Sequence, residues 1–324
     1  MSFKSFGKSF GVGSGILLAA GSWAHSAHAE DAAPGATLEE IVVTAEKREE
    51  NIQKTPIAVQ VVTPEELAEA GVRDFTQMDK ISPDIQVFQG AGATVISIRG
   101  LRSTSYDPTD ESPNAVHIDG AYIARANSIN GLFYDIARVE VLAGPQGTLY
   151  GRNSASGAIN IITNKPGSTF GATGSLELGD YNLVRMQAAL NAPLSDTFAV
   201  RIAGTSYQHS GYADSGLDDA RQQGGRVEAL WKPSDRQSLL VTGETEITDP
   251  KGPATAIVAV NPALQGANQF TVPNNPRDDR QIDGTQSLSY QRQKVLGASL
   301  QYDYHFEPVT FTLQAAHREF SQEM

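Results

Sequence analysis

DIARVEVLAGPQGTLYGRNSASGAINIITNKP, residues 135–166, joins two extended apolar runs through a glycine-rich bend. Residues 138–142 and 158–163 carry the β-branched and apolar side chains expected of short strands. Between them Gly144, Pro145, Gly147 and Gly151 allow a tight, irregular backbone that packs against its neighbours. A phosphate loop is the competing reading of so much glycine. It requires a lysine beside the last glycine, and here Arg152 follows Gly151 and Ala158 follows Gly157.

After Pro166 the pattern changes, and apolar residues occupy every second position over long spans. Phe198, Val200 and Ile202 alternate with Arg201 and Thr205; Val227, Ala229 and Trp231 alternate with Arg226 and Glu228. The same holds for Leu296, Ala298, Leu300, Tyr302 and Tyr304 against Ser299, Gln301 and Asp303, and for Val309, Phe311, Leu313 and Ala315 against Thr310, Thr312 and Gln314. Strands are expected at 171–179, 183–190, 197–206, 225–232, 238–247, 294–304 and 309–318. A soluble sandwich shares this period of two, so the period does not decide. The connections favour a membrane barrel: short turns at 191–196, 232–236 and 305–308, a tight link at 179–182, and long polar loops near 207–224 and 248–292. Tyr207, Trp231, Tyr302, Tyr304 and Phe306, near strand ends, suit an interfacial girdle.

Before the quoted stretch, 57–62 reads as a strand and Thr63-Pro64-Glu65-Glu66 as the capped start of a helix that stops at Gly71. Residues 85–88, 94–99 and 115–118 read as further short strands, with Asp119-Gly120 as a tight turn. This is a compact mixed α/β module. Upstream, residues 38–45 (LEEIVVTA) are β-branched and extended, but their flanking charge and lack of alternation argue against a buried core strand. They suit either an ordinary edge strand or a segment that adds to a partner's sheet. Residues 46–50 read as a charged, solvated tether. Residues 1–29 read as a secretory signal: Lys4 and Lys8, an apolar core at 11–20, and cleavage after Ala29 at Ala27-His28-Ala29.

The bulk composition narrows the function classes. Net charge is −12, which does not fit a nucleic-acid partner. There is no cysteine, hence no disulfide framework, thiolate metal site or cysteine nucleophile. The six histidines form no HExxH pair, so no metal site is expected. No apolar run is long enough for a membrane-crossing helix, which leaves a barrel open.

With these residues in view, 135–166 closely resembles the second half of the plug of TonB-dependent outer-membrane receptors, in the siderophore-receptor style. The likeness stands on Glu140, Gly144-Pro145-Gln146-Gly147, Leu149-Tyr150-Gly151-Arg152 and Gly157-Ala158-Ile159-Asn160-Ile161. Arg99-Gly100 and Asp119-Gly120, each with its apolar flank, match as well. Ala143 departs from the pattern, standing where many relatives carry arginine before the Gly-Pro-Gln. The implied fold is an α+β plug domain followed by antiparallel transmembrane β-barrel strands, about seven of the roughly 22 expected of such a barrel. The implied domains are a signal peptide at 1–29, a flexible lead with the coupling box at 30–52, the plug at 53–166, and barrel strands at 167–324.

The resemblance makes Glu40, Ile41, Val42, Val43 and Thr44 the box that TonB would engage by β-augmentation in the periplasm. It implies active uptake across the outer membrane of a scarce bulky ligand such as an iron–siderophore complex, with no enzymatic step and no cofactor. Oligosaccharide, vitamin B12 and haem are alternatives. Plug loops at 101–113 and 124–131 are expected to meet the ligand, with Arg102, Tyr106, Arg125 and Asn127 as contacts. A soluble periplasmic binding module and a passive porin are the readings from other classes; the long amphipathic strands oppose the first, and the plug and box oppose the second. Only 324 − 166 = 158 residues follow the plug, fewer than the roughly 200 that 22 strands require, so a partial sequence or a truncated, non-transporting product is expected.

Overall fold

The computed structural model describes residues 42–44, 47, 50–55, 57–90, 93–103, 111–212, 216–251 and 292–323. They fall within one compact unit, Ile41–Met324. The signal segment, Glu40, Ile41, Tyr106 and most of the 248–292 loop lie outside the described residues.

The α+β module opens with two short strands, β1 (Val42–Val43) and β2 (Glu50–Asn51), paired antiparallel. β3 (Val59–Val62) then leads into helix α1 (Pro64–Glu69), whose entry carries the expected capping box: Thr63 Oγ1 accepts from Glu66 N–H, and Thr63 N–H donates to the Glu66 carboxylate. Gly71 ends the turn at φ +63°, a left-handed conformation that glycine adopts without strain. A hairpin of β4 (Ile85–Gly90) and β5 (Ala93–Ile98) follows, then β6 (Asn114–Ile118) and β7 (Ala121–Tyr122), hinged at Asp119-Gly120. β8 (Ile136–Ala143), the one-turn helix α2 (Gly147–Tyr150) and β9 (Gly157–Thr163) complete the module. Its sheet has the order β3-β8-β9-β6-β7, parallel only between β6 and β9.

Residues 124–131, expected as an open loop, are instead mostly a packed 3-10 helix, Ala126–Leu132. Three residues per turn place Ile129 and Leu132 on one side, and both are fully buried. The segment's polar letters concealed that short period.

The seven expected strands after Pro166 form one antiparallel meander: β10 (Gly171–Gly179), β11 (Leu183–Ser195), β12 (Phe198–His209), β13 (Ala220–Ser234), β14 (Gln237–Thr248), β15 (Arg292–His305) and β16 (Thr310–Glu323). At 9 to 15 residues each, they meet the length of roughly 9–11 that a tilted strand needs to cross a bilayer. The turns are tighter than the sequence indicated. β11 runs through Pro193 and β13 through Pro233, each at a register shift where the ladder does not need the missing N–H.

The polarity of this sheet is inverted relative to a soluble protein. Phe198, Trp231, Leu239, Tyr302 and Leu313 pair in one row across neighbouring strands, beside the row Val200, Ala229, Val241, Leu300 and Ala315. This face looks outward: Ile202 and Val227 are each 50% exposed and Trp231 is 47% exposed. The opposite face buries Arg226, Glu228, Thr242, Glu244 and Glu246 against the α+β module. A water-soluble sheet would turn the other way, whereas a barrel wall with an apolar belt requires this arrangement. Tyr207 leaves the expected girdle, because its position in β12 points inward and it is buried. The two outer strands of the sheet, β10 and β16, do not pair with one another.

Candidate functional site

The first site gathers around one carboxylate. Glu140 in β8 lies opposite Asn160 in β9, so the ladder presents both on the same face of the sheet. Glu140 is completely buried and accepts bonds from Thr44 N–H (2.7 Å), Thr44 Oγ1 (3.1 Å), Arg138 Nε (2.8 Å) and Asn160 Nδ2 (3.4 Å). Asn160 also donates to the Tyr150 hydroxyl at 2.6 Å. The glycine-rich bend therefore has a concrete task, to carry Tyr150 back over β9. Gly144 (φ +97°) and Gly151 (φ +75°) adopt the left-handed conformations this path needs. Gly157 is fixed by space, since a Cβ there would come within 2.4 Å of the Leu142 carbonyl oxygen.

Val43 fills the adjoining apolar pocket with Ala115, Leu142, Tyr150 and Ala158. The expectation of an unburied segment thus fails at Val43, and burial of its side chain among apolar neighbours explains why. The tether is also not simply solvated: Glu50 belongs to β2, and the Lys47 ammonium sits 4.4 Å over the Tyr150 ring. Burial lowers the Lys47 pKa and pushes the Tyr150 hydroxyl up to about 12. His117 packs edge-on to Tyr150, with ring centroids 5.1 Å apart. Burial, reinforced by the Lys47 charge, pushes its imidazole down to about 4.

The second site is the contact between module and wall. Lys165 bridges Asp119 of the module (2.8 Å) and Glu228 of β13 (2.9 Å). Burial opposes ionisation of Asp119, but Lys165 and Arg226, with hydrogen bonds from Lys165 and Thr163, outweigh it and hold the carboxyl below the usual range. Arg201 of β12 holds Asp135 through Nε at 2.7 Å, and Arg73 pairs with Glu177 of β10. Arg226 of β13 stacks on Tyr134 and donates to the carbonyls of Leu132 and Tyr134, both at 3.3 Å. Gly131 lies so close to Glu246 that a Cβ would overlap its side chain. Alternating charges within apolar strands, visible at Arg201, Arg226 and Glu228, were the sequence signal for this interface; their partners were not visible.

The remaining expected residues divide. Arg99-Gly100 forms a positive-φ turn, and Arg99 pairs with Asp84 at 3.2 Å on the surface. Asp119-Gly120 forms the β6–β7 turn, Pro145 is exposed, Gly147 starts α2, and Arg152 pairs with Glu111 at 2.8 Å. Arg102 is exposed and lies 4.5 Å over the Phe88 ring; Arg125 is half-buried at the start of the 3-10 helix. Asn127 does not serve as an open contact. It is buried, its side-chain oxygen accepts from Thr94 N–H, and its amide reaches Gln322 of β16 at 3.5 Å. A cavity of about 530 Å³ lies between α1 and the β10–β12 wall, lined in part by Leu67, Arg73, Phe133 and Arg185. Among the described residues no His, Asp and Glu side chains cluster as a metal site would require, and no helix is long and apolar enough to cross a membrane.

Residues 51–158 match the protein family described as TonB-dependent Receptor Plug Domain. This chain carries a TonB-dependent receptor plug. The plug is followed here by an open antiparallel wall with an apolar outer face. The chain is 32% identical over 163 residues to the pesticin receptor of Yersinia pestis, covering 48% of this chain and 23% of that one. It is 30% identical over 222 residues to the iron-regulated outer membrane virulence protein of Vibrio cholerae, covering 59% and 32%. The crystal structure of the ferric yersiniabactin uptake receptor FyuA from Yersinia pestis superposes with a TM-score of 0.62 at 21% identity, over 82% of this chain and 41% of that one. This chain thus spans about a quarter to a third of the length of these curated relatives.

Proposed function

We propose that this chain takes part in TonB-dependent uptake of an iron chelate, most simply a ferric siderophore, across the outer membrane, and that residues 40–44 are its coupling segment. The observation that carries the reading is the plug seated on the charged inner face of a wall whose outer face is apolar. A wall of this kind, once closed into a barrel, satisfies every backbone group in lipid while the plug obstructs the lumen. It separates the protein both from a soluble binding module, which has no use for an apolar outer face, and from a passive porin, which needs no plug.

The ligand class is supported by relatives whose names denote iron regulation and ferric-yersiniabactin uptake. Arg102 and Arg125 are the proposed cationic contacts for an anionic chelate, with Tyr106 as an aromatic partner. The protein's own role is binding, orientation and gated passage, with no bond made or broken in the ligand. Energy enters through main-chain pairing of 40–44 with a periplasmic strand of TonB.

Val42→Pro tests the coupling step, because proline removes a backbone donor and resists strand pairing. In iron-starved cells the variant is expected to stay in the outer membrane yet lose crosslinking to TonB and energy-dependent uptake of radiolabelled ferric siderophore. Undiminished crosslinking and uptake would refute the assignment of 40–44. An intact protein that binds no ferric siderophore would instead remove the ligand class.

A further inference from the structure

The wall does not touch the plug everywhere. On the inner face of β10 and β11, Thr173 pairs with Ala189, Ser175 with Gln187 and Glu177 with Arg185. The first two pairs are mostly short side chains, and opposite them the plug presents Leu67, Val72, Phe133 and Ile136. Between the two surfaces lies the cavity of about 530 Å³. A close-packed interior leaves few voids larger than a water molecule, whereas small-molecule sites commonly span about 300–1,000 Å³.

Two polar groups on the cavity wall are left over. Glu177 is held by Arg73 Nε at 2.7 Å, and Asp135 by Arg201, so both carboxylates that line it are answered. Arg185 uses one donor on the Arg73 carbonyl at 2.8 Å and pairs with no carboxylate among the described residues. Tyr134 is buried, and its hydroxyl has no hydrogen-bond partner among them. A planar guanidinium with free donors suits a carboxylate. The apolar floor suits the body that carries it.

An aromatic approach leads toward this space. Tyr181, Tyr212, His209 and Tyr207 form a chain of rings with successive centroids 4.8, 4.5 and 5.5 Å apart. Tyr181 and Tyr212 are exposed, at the end of the wall where long loops leave, and Tyr207 is buried. Tyr207 lies within electrostatic reach of both Arg73 and Arg185. Ring faces and edges attract one another, which favours a ligand with a ring of its own.

We propose that the cavity between α1 and the β10–β12 wall binds a small aromatic carboxylate, its ring against Leu67, Val72, Phe133 and Ile136 and its charge on Arg185. This is a second site: neither Arg102 nor Arg125, the contacts proposed for the iron chelate, lines it. An occupant touches plug on one side and wall on the other, so binding favours the seated plug.

The probe is para-trifluoromethylbenzoate, titrated into the protein in detergent micelles and followed by fluorine NMR, with empty micelles as background. One saturable site is expected. The uncharged para-trifluoromethylbenzamide should bind about tenfold more weakly, as should the acid to Arg185→Gln, because each change removes a charge-assisted hydrogen bond. Tyr134→Phe keeps the ring under Arg226 and removes only the unpartnered hydroxyl; it should weaken binding by a smaller factor. Ser175→Phe fills the cavity and should abolish binding, while Lys232→Gln, toward the end of β13, should leave it unchanged. Absence of a saturable site, equal binding of acid and amide, or binding that survives Ser175→Phe overturns the proposal. The titration involves neither TonB nor iron, so its outcome is independent of the uptake reading.

Discussion

His117 shows how one side chain reports its surroundings. It is buried between Tyr122 and Tyr150, and burial, with the Lys47 charge adding to it, keeps its imidazole neutral down to about pH 4. In the unfolded chain it would take up a proton near its ordinary value of 6.5. Between those limits the unfolded state binds the extra proton, so the stability contributed is complete above pH 6.5 and drains away as the pH falls toward 4. The loss across that window is on the order of 2–3 kcal/mol. Hydrogen exchange of the β6 and β9 amides in micelles should therefore speed up from pH 7 to pH 5 beyond its intrinsic pH dependence. In His117→Phe, which keeps the ring packing and cannot titrate, that extra acceleration should vanish; its persistence would assign the pH response to another group.

Among the elements, the bend from β8 to β9 separates glycines that look alike in sequence. Gly157→Ala drives a Cβ into the Leu142 carbonyl, a backbone atom that cannot swing aside, and should cost at least about 2 kcal/mol. Gly147 has open space around its Cβ position and no positive φ, so Gly147→Ala should stay within about 0.5 kcal/mol. Thermal or denaturant unfolding of the two variants, side by side, decides this; equal losses would mean the bend is not held as described. Much at this scale was legible in the chain. Thr63, Pro64, Glu66 and Gly71 marked α1 at both ends, and the period of two located all seven wall strands. What was not legible depended on contacts distant in sequence. Asn127 looked like a loop residue because Thr94 and Gln322, which hold it, are 33 and 195 positions away. Val43 looked solvent-bound because the pocket that buries it is assembled from β6, β8, α2 and β9. Strand ends were misjudged at Pro193 and Pro233 for a related reason, since a bulge is a property of two strands together.

For the whole molecule, the inverted polarity of the wall makes a test that no soluble fold would pass. Val227 lies opposite Ile202 on the apolar outer face, whereas Gln223 lies on the same face of β13 opposite Ser206, four residues nearer the start of the strand. Val227→Arg should cost about 2–4 kcal/mol of stability in lipid, and Gln223→Arg near the interface about 0–1 kcal/mol. Folding yield into lipid vesicles measures the difference; a penalty absent from Val227→Arg would mean that this face does not meet hydrocarbon. The grip between wall and plug carries a different consequence. Arg226 donates to the carbonyls of Leu132 and Tyr134, Arg185 to the carbonyl of Arg73, and Gln314 to that of Asp119. Each of these wall side chains takes hold of plug main chain. A carbonyl is the same in every residue, so at these points the wall recognises the course of the plug's backbone and is blind to its spelling. A substitution at Leu132 or Arg73 would therefore leave these particular bonds in place, even though Leu132 remains tied to the core and Arg73 to Glu177 through their side chains.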